Sequence, residues 1–231
     1  MSKVFFQNPD DLNLFKQLKL ISPATPTAVV NGSGVDVSEY DVAPLPISED
    51  DNTPELRFLL IARLLGDKGV REYAQAAKRI KAKYHQTQFD LVGWIDDNPD
   101  SIDQQELDNW IKDGTINFWG KLSDVKPAIA ASAIYVLPSY REGTPRTVLE
   151  AMAMGRPVIT TDAPGCRETV TDEVNGFLVP VKSVDGLTEA MKKFITDPGL
   201  INTMGKASRK IAEEKFDVHA VNNFMLKEMG L

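Results

Sequence analysis

The sequence is poor in the residues from which disulfide frameworks and metal sites are built, with 1 Cys and 2 His among 231 residues. A single thiol, Cys166, excludes an internal disulfide framework and a site with several thiolate ligands. Long apolar runs are also missing, since a stretch such as residues 58–62 is far shorter than the roughly 20 residues that span a bilayer. The first ten residues lack the apolar core of a signal peptide, so a cytoplasmic protein is expected.

Positive charge is scarce as well. The chain has 33 acidic and 26 basic residues, which gives a net charge of -7. A nucleic-acid-binding protein usually carries a basic surplus, so this balance disfavours nucleic acid as a partner. It leaves room for a smaller anionic ligand, because a few basic residues can hold a phosphate inside an acidic protein.

Two regions with different patterns meet near residue 50. Residues 1–31 predict a strand at 4–6, a helix at 10–18 capped by Asp10 or Asp11, and a strand at 27–30. Residues 41–54 hold three prolines and a cluster of acids, which is typical of a linker or an exposed loop.

From residue 54 onward, apolar strand patterns alternate with helical patterns. Strands are predicted at 56–62, 89–94, 116–119, 134–137, 157–161 and 176–179. Helices are predicted at 70–83, 101–112 (capped by Ser101), 123–131, 145–154, 183–196, 199–214 and 217–229. Strands that are apolar on both faces indicate a parallel sheet covered on both sides, a doubly wound α/β fold. Such folds bind ligands at the carboxyl ends of their strands, so chemistry is expected in the loops that follow strands.

The loop after the strand at 56–62 carries two cations, Arg63 and Lys68, close to the start of a helix. The helix dipole is already positive at that end, so the cations are not needed to balance it. A bound anion explains them, and so does an ordinary solvated loop with a surface lysine. Taken by itself, this loop favours neither explanation.

The loop after the strand at 134–137 is the strongest signal in the chain. Thr144 suits the N-cap of the helix that follows, and Pro145 suits its first position. The free N–H groups of Arg146 and Thr147 would then form a phosphate site at the helix start. Gly143 would let a ligand approach the backbone closely.

Two glutamates flank this helix start, Glu142 and Glu150. They lie roughly 8–10 Å apart along the axis, so a diphosphate at the helix end would have a carboxylate acceptor for sugar hydroxyls on either side. Glu142 has a simpler alternative explanation, since an acid near a helix start favours the dipole. Glu150 is surrounded by apolar residues, where a carboxylate is costly unless it is paired.

The run EGTPRTVLE, followed by AMAMGRPVITTDAPG, resembles the donor-binding half of the family 4 retaining glycosyltransferases, which have the GT-B fold. Two glutamates separated by seven residues are that family's signature. The loop from Arg63 to Gly69 resembles its diphosphate-binding pair, and residues 30–36 resemble the stretch that joins its two domains. The resemblance extends over essentially the whole chain.

This resemblance implies a Rossmann-like donor-binding domain at 48–215, preceded by a remnant of the acceptor domain with its linker at 1–47. A crossover helix would follow at 216–231. It also implies catalytic roles for Arg63 and Lys68, which would neutralise the donor's phosphates, and for Glu142, which would contact the donor sugar. It further implies that Glu150 holds the ribose of the donor nucleotide. The remaining donor-binding residues that it implies are Gly143, Thr144, Arg146, Thr147, Gly93, Trp119, Gly120 and Leu122.

The reaction implied is the transfer, with retention, of a hexose or N-acetylhexosamine from a nucleotide sugar, expected to be a UDP sugar. The acceptor would be a polysaccharide or a polyprenyl-linked saccharide, and neither a cofactor nor a metal is expected. The family's N-terminal glycine-rich loop and active-site histidine have no counterpart in this sequence. Its two histidines, His85 and His219, are interpreted as surface or structural residues. The chain alone is therefore expected to bind the nucleotide sugar but to transfer little.

Two further partners follow from the resemblance. Peripheral membrane association is expected through the family's N-terminal domain, of which this sequence has only a remnant. The apolar face of the last helix predicts self-association, which ultracentrifugation would detect. Two alternatives stay open for the function: a GT-B sugar-phosphate synthase or epimerase, and a non-catalytic nucleotide-sugar-binding module. Cys166 has no histidine nearby in the sequence that would suggest a nucleophile. Trp94 and Trp110 are interpreted as packing residues, and Trp119 lies near the expected base pocket.

Overall fold

A computed structural model describes residues 3–47 and 55–231. Its main feature is a six-stranded parallel sheet with the order β5-β4-β3-β6-β7-β8. The strands are β3 (Arg57–Arg63), β4 (Gln88–Trp94), β5 (Asn117–Gly120), β6 (Ile134–Leu137), β7 (Val158–Thr161) and β8 (Gly176–Val179). The chain starts in the middle of the sheet, builds outward to β5, and returns to build the other half from β6. This order confirms the doubly wound α/β prediction.

Helices cover both faces of this sheet. They are α2 (Val70–Lys81), α3 (Gln104–Lys112), α4 (Lys126–Ala130), α5 (Arg146–Ala153), α6 (Val184–Thr196) and α7 (Gly199–Lys215). One buried apolar cluster joins the sheet to α2, α3 and α6, and a second joins it to α4, α5 and the end of α7. The strands therefore bury apolar side chains on both faces, as their continuous apolar patterns require.

The start of α3 differs from the prediction. The helix begins at Gln104 with Asp103 at its N-cap, whereas Ser101 was expected there. Ser101 instead forms a β-bridge with Leu65, and its hydroxyl donates to the carbonyl of Asp96. The serine is used to fold the loop after β4 back against the loop after β3, so the helix starts later.

A smaller unit precedes the sheet. Strands β1 (Val4–Phe6) and β2 (Thr27–Val29) pair in parallel, and α1 (Pro9–Gln17) connects them. The cap of α1 is Asn8, not Asp10 or Asp11, since the Asn8 side chain accepts the N–H of Asp11. The acidic residues instead fill the first turn, where they favour the helix dipole.

The segment that joins the two units is anchored by a buried arginine. Arg156 is 1% exposed and donates to five backbone carbonyls, among them those of Ala43 and Pro44. Burial lowers the pKa of this guanidinium to about 10, yet it stays charged at neutral pH. The rest of the predicted linker, residues 48–54, and the predicted domain boundary at 47/48 lie outside the described residues.

The last helix, α8 (Val218–Met229), runs back to the smaller unit. Asp217 caps it and Val35 forms a bridge with Asp217. Near its other end, Glu228 accepts from the Lys3 ammonium at 2.5 Å. Val221 is buried, whereas Phe224 and Met229 are exposed, and self-association through this face stays a prediction. Within residues 3–47 and 55–231, every helix is too short or too polar to cross a bilayer.

Candidate functional site

A cleft of about 320 Å3 opens at the carboxyl edge of the sheet, above the ends of β3, β4 and β6. This is where a doubly wound sheet is expected to bind its ligand. Its lining residues are Ile61, Ala62, Arg63, Lys68, Val92, Gly93, Trp94, Leu122, Val125, Leu137, Glu142, Pro145, Arg146 and Thr147. The cleft brings together Arg63, Lys68 and Glu142, the three residues predicted to be catalytic.

Lys68 and Glu142 meet because they follow neighbouring strands, β3 and β6. The Lys68 ammonium lies 2.7 Å from Glu142 Oε1, and both side chains are mostly buried. Gly69 makes the approach possible: its φ is +70°, and a Cβ there would lie 2.2 Å from the Pro138 carbonyl oxygen. The start of α2 is thus held directly against the chain that leads to Glu142.

The other cations of the cleft also face carboxylates. Arg63 Nη1 lies 3.1 Å from Asp96 Oδ2, a partner that the sequence had not indicated. Arg146 Nε lies 2.9 Å from Glu150 Oε1, one helical turn away. The same guanidinium groups could make charge-assisted hydrogen bonds to the oxygens of a polyanion that enters the cleft.

Helix α5 begins one residue later than predicted. Pro145 has a φ of -71° and a ψ of 112°, so it is extended and occupies the N-cap, and Arg146 is the first helical residue. Thr144, predicted as the cap, uses its N–H and hydroxyl elsewhere: they donate to Oε1 and the carbonyl of Gln7. The first N–H groups of α5 have no partner inside the helix, and Arg146 and Thr147 line the cleft.

The space beside Gly143 is already filled. A Cβ at this glycine would lie 2.3 Å from Gln7 Oε1, so the close approach expected of a ligand is made here by the Gln7 side chain. Asn8, which is fully buried, donates to the carbonyls of Glu142 and Gly143. The Glu142 N–H donates to the Pro164 carbonyl at 2.9 Å. The loop that carries Glu142 is therefore fixed from the smaller unit on one side and from the loop after β7 on the other.

Glu150 lies behind Arg146 rather than in the cleft lining, and its side chain is only 6% exposed. The Tyr40 hydroxyl donates to Glu150 Oε1 at 2.9 Å, so the costly burial of this carboxylate is offset by two partners. Burial, reinforced by the nearby glutamate, raises the pKa of Tyr40 to about 12. The negative charge of Glu150 likewise raises the pKa of Arg146.

One side of the cleft is partly apolar. Gly93, Trp94 and Leu122 line it, and the Lys121 ammonium lies 4.4 Å from the centre of the Trp94 ring. Trp94 was expected to be a packing residue, but it is 39% exposed at the cleft wall. Trp119 and Gly120 lie outside the lining, so a contact of these two with a base stays a prediction.

The remaining reactive residues lie away from the cleft lining. His85 and His219 are exposed, in keeping with the surface positions expected for them. Cys166 is buried, and burial raises the pKa of its thiol to about 11. No three His, Cys, Asp or Glu side chains form a group suited to a metal ion in the part of the chain that the structure describes.

The sequence matches the family described as Glycosyl transferases group 1 over residues 55–197, more than half of the chain. The chain belongs to this family. The match runs from just before β3 to the end of α6, so it includes every residue that lines the cleft. The family membership predicted from EGTPRTVLE and the Arg63–Lys68 loop is confirmed.

Individual relatives agree with this family. An N,N'-diacetylbacillosaminyl-diphospho-undecaprenol alpha-1,3-N-acetylgalactosaminyltransferase from Campylobacter jejuni is 34% identical over 148 residues, 64% of this chain and 38% of that protein. The capsular polysaccharide biosynthesis glycosyltransferase CapM from Staphylococcus aureus is 29% identical over 73% of this chain and 46% of its own length. This chain thus spans less than half the length of either relative.

A solved structure shows the same architecture. Anabaena HepE in complex with UDP superposes with a TM-score of 0.85 at 25% identity, over 99% of this chain and 64% of that one. The smaller unit, the sheet and α8 are therefore arranged as in HepE. The predicted GT-B half is confirmed as a fold, whereas the roles of the individual cleft residues stay predictions.

Proposed function

We propose that this chain is the nucleotide-sugar-binding half of a retaining glycosyltransferase, with a UDP sugar as donor. The observation that carries the proposal is the convergence of Arg63, Lys68, Glu142 and the N-terminus of α5 on one cleft. Two cations and a helix N-terminus suit a diphosphate, and an adjacent carboxylate suits a sugar hydroxyl. UDP is the nucleotide bound in the HepE structure, which supports uridine as the base.

The cations would act in binding and in catalysis. Arg63 and Lys68 would neutralise the two phosphates of the donor, and they would stabilise the same groups more strongly as the nucleoside diphosphate leaves with added negative charge. The reaction needs no metal in this scheme, because the two side chains and the helix end supply the positive charge. Chelation with EDTA is therefore expected to leave nucleotide binding unchanged.

Retention would follow from front-face attack. The acceptor hydroxyl would approach the anomeric carbon from the side of the leaving phosphate. The bond between the anomeric carbon and the phosphate oxygen would break as the glycosidic bond forms, and the departing diphosphate would take the hydroxyl proton. The donor sugar would be a hexose or N-acetylhexosamine, held beside Glu142. No protein nucleophile is required on this path, and none of the cleft side chains is assigned that role.

The acceptor is proposed to be a polysaccharide or a lipid-linked saccharide. The Campylobacter jejuni relative is named for an undecaprenol-linked acceptor and CapM for capsular polysaccharide. A lipid-linked acceptor would bring the enzyme to the cytoplasmic face of the membrane as a peripheral protein. Co-sedimentation with vesicles that contain an undecaprenyl diphosphate-linked sugar would test this once an acceptor-binding half is supplied, and recovery of that assembly in the supernatant alone would contradict it.

A non-catalytic nucleotide-sugar-binding module is the second candidate. The cations and the helix N-terminus of the cleft would hold a nucleotide sugar whether or not the sugar is then transferred. Both candidates require nucleotide-sugar binding, but only the first requires slow donor hydrolysis or transfer when an acceptor-binding half is supplied. We expect the 231 residues alone to bind the donor and to turn it over little.

Calorimetry tests the shared requirement. UDP, ADP and GDP would be titrated into the chain, and we expect UDP to bind most tightly. Lys68→Ala is expected to weaken UDP binding about tenfold or more, since a charge-assisted hydrogen bond to phosphate contributes about 1.5–3 kcal/mol. Lys78→Ala is the matched control, because Lys78 lies on the exposed face of α2 and pairs with Asp113. Equal UDP affinity in Lys68→Ala and Lys78→Ala would contradict the assignment.

A further inference from the structure

Tyr40 donates a hydrogen bond to the buried carboxylate that lies behind the cleft lining, that of Glu150. It lies in the segment between β2 and β3, 110 residues away from Glu150 in the sequence. Its hydroxyl donates to Glu150 Oε1 at 2.9 Å. The contact therefore joins the segment that connects the two units to the helix that carries the second glutamate of the motif.

The two hydrogen bonds to Glu150 leave one of its oxygens available. Within residues 3–47 and 55–231, both bonds to this carboxylate, from Tyr40 and from Arg146, end on Oε1. The lone pairs of Oε2 are thus left for a ligand. A carboxylate that accepts from a sugar diol must present its oxygens in a fixed direction, because hydrogen bonds weaken steeply when their angles depart from linearity.

Tyr40 is itself held firmly. Its N–H donates to the Asp36 carbonyl, and its own carbonyl accepts from Arg209 Nη1 at 2.7 Å. The Lys126 ammonium lies 4.7 Å from the centre of its ring. A tyrosine hydroxyl keeps its proton at neutral pH, and burial raises the pKa of Tyr40 further, to about 12, so the phenol is a donor there.

Arg146 is a poorer support for the same carboxylate. Its side chain is 70% exposed, and a solvated ion pair between neighbouring turns of one helix holds a geometry weakly. Arg146 also lines the cleft, where it is available to a ligand. When an anion recruits the guanidinium, the hydroxyl of Tyr40 is the donor that stays on Oε1.

We propose that Tyr40 is a positioning residue for ribose recognition, holding Glu150 Oε1 so that Oε2 accepts from the ribose hydroxyls of the nucleotide. This inference rests on the proposed function, since it presupposes a ribonucleotide in the cleft. It adds a residue from the connecting segment to the donor site. It also means that nucleotide affinity depends on the position of this segment.

Calorimetry with two ligands tests the proposal. UDP carries both ribose hydroxyls, and 2',3'-dideoxy-UDP carries neither. Tyr40→Phe keeps the ring and removes the donor, and we expect it to weaken UDP binding about five- to tenfold, less than the loss of a direct hydrogen bond between ligand and a charged group. Binding of 2',3'-dideoxy-UDP, already weaker, should not change, because the ligand has no diol for Glu150 to accept from.

Tyr140→Phe is the matched control. Tyr140 donates to Glu72 Oε1 at 2.7 Å, the same kind of bond between a tyrosine and a glutamate on a helix. Whatever this variant does to affinity should apply equally to both ligands. If Tyr40→Phe also weakens both ligands equally, or leaves UDP binding unchanged, Tyr40 does not position Glu150 for the ribose. If the unmodified chain binds neither ligand, the proposed function itself fails.

Discussion

Glu142 and Glu150 have the same side chain and lie on the same stretch of chain, yet their burial and their hydrogen-bond partners differ. Glu142 sits in a loop at the cleft wall and pairs with Lys68. Glu150 sits inside α5, with a side chain only 6% exposed, and accepts from Tyr40 and Arg146. Glu142 is paired with a cation that would also bind a diphosphate. Glu150 would keep its hydrogen bond from Tyr40 when a diphosphate binds, because the tyrosine hydroxyl is not a cation.

The difference suggests that the two glutamates have separate roles in donor binding. A ligand phosphate that attracts Lys68 would release Glu142, so this carboxylate becomes available only when the donor is bound. Glu150 is oriented before any ligand arrives, and a preorganised group contributes its hydrogen bond without a further ordering cost. The loop glutamate would therefore respond to the whole donor and the helical glutamate to the nucleotide.

The largest effect expected from this comparison is that of Glu150→Ala. It removes the ribose acceptor and leaves the Tyr40 hydroxyl without its partner, so we expect UDP and UDP-sugar binding to weaken together by about tenfold or more. Thermal unfolding should show a loss of about 1–3 kcal/mol, the cost of a half-buried donor without an acceptor. Calorimetry with both ligands measures the effect. A loss of affinity confined to the UDP sugar would contradict the separate roles of the two glutamates.

Glu142→Gln should produce the opposite pattern. It weakens the pairing with Lys68 while keeping the shape of the side chain, so Lys68 becomes more available to phosphate. We expect UDP to bind as tightly as before or more tightly, and the UDP-sugar preference over UDP to fall about three- to tenfold, since one hydrogen bond to the sugar loses its charge. Glu106→Gln is the control, because Glu106 pairs with Arg71 outside the cleft lining. A parallel loss of both ligands in Glu142→Gln would remove the distinction between the glutamates.

Much of this arrangement could be predicted from the sequence. Alternating strands and helices indicate where loops gather at one edge of a parallel sheet, and that principle brings Arg63, Lys68 and Glu142 together. The apolar surroundings of Glu150 indicate a buried carboxylate that needs partners. Both inferences depend on local pattern, which the chain displays within a few residues of each site.

The partners themselves could not be predicted. Tyr40, Gln7 and Asn8 reach the motif across more than 100 residues, and a single hydrogen bond at that distance leaves no periodic trace in the sequence. The helix caps failed for a related reason. Thr144 has the right chemistry for the cap of α5, but its N–H and hydroxyl are drawn to Gln7, a tertiary contact that overrides the local preference.

Asn8→Ala is expected to have the smallest effect on binding and the most local one. The side chain caps α1 and donates to the carbonyls of Glu142 and Gly143, so its loss should cost about 1 kcal/mol of stability and loosen this loop. The UDP-sugar preference should fall about twofold, since the loop still has the Glu142 N–H bond to Pro164.

Thiol labelling gives Asn8→Ala a second, independent measurement. Cys166 is the single cysteine, is buried next to Ser139 below the same loop, and has a pKa raised to about 11, so it should react slowly in the native chain. A looser loop should speed its labelling. Asp10→Asn is the control, because Asp10 also ties α1 to the sheet unit, through Arg167, without touching the Glu142 loop. Equal labelling rates in the two variants would show that Asn8 stabilises α1 alone and leaves the position of Glu142 to the sheet.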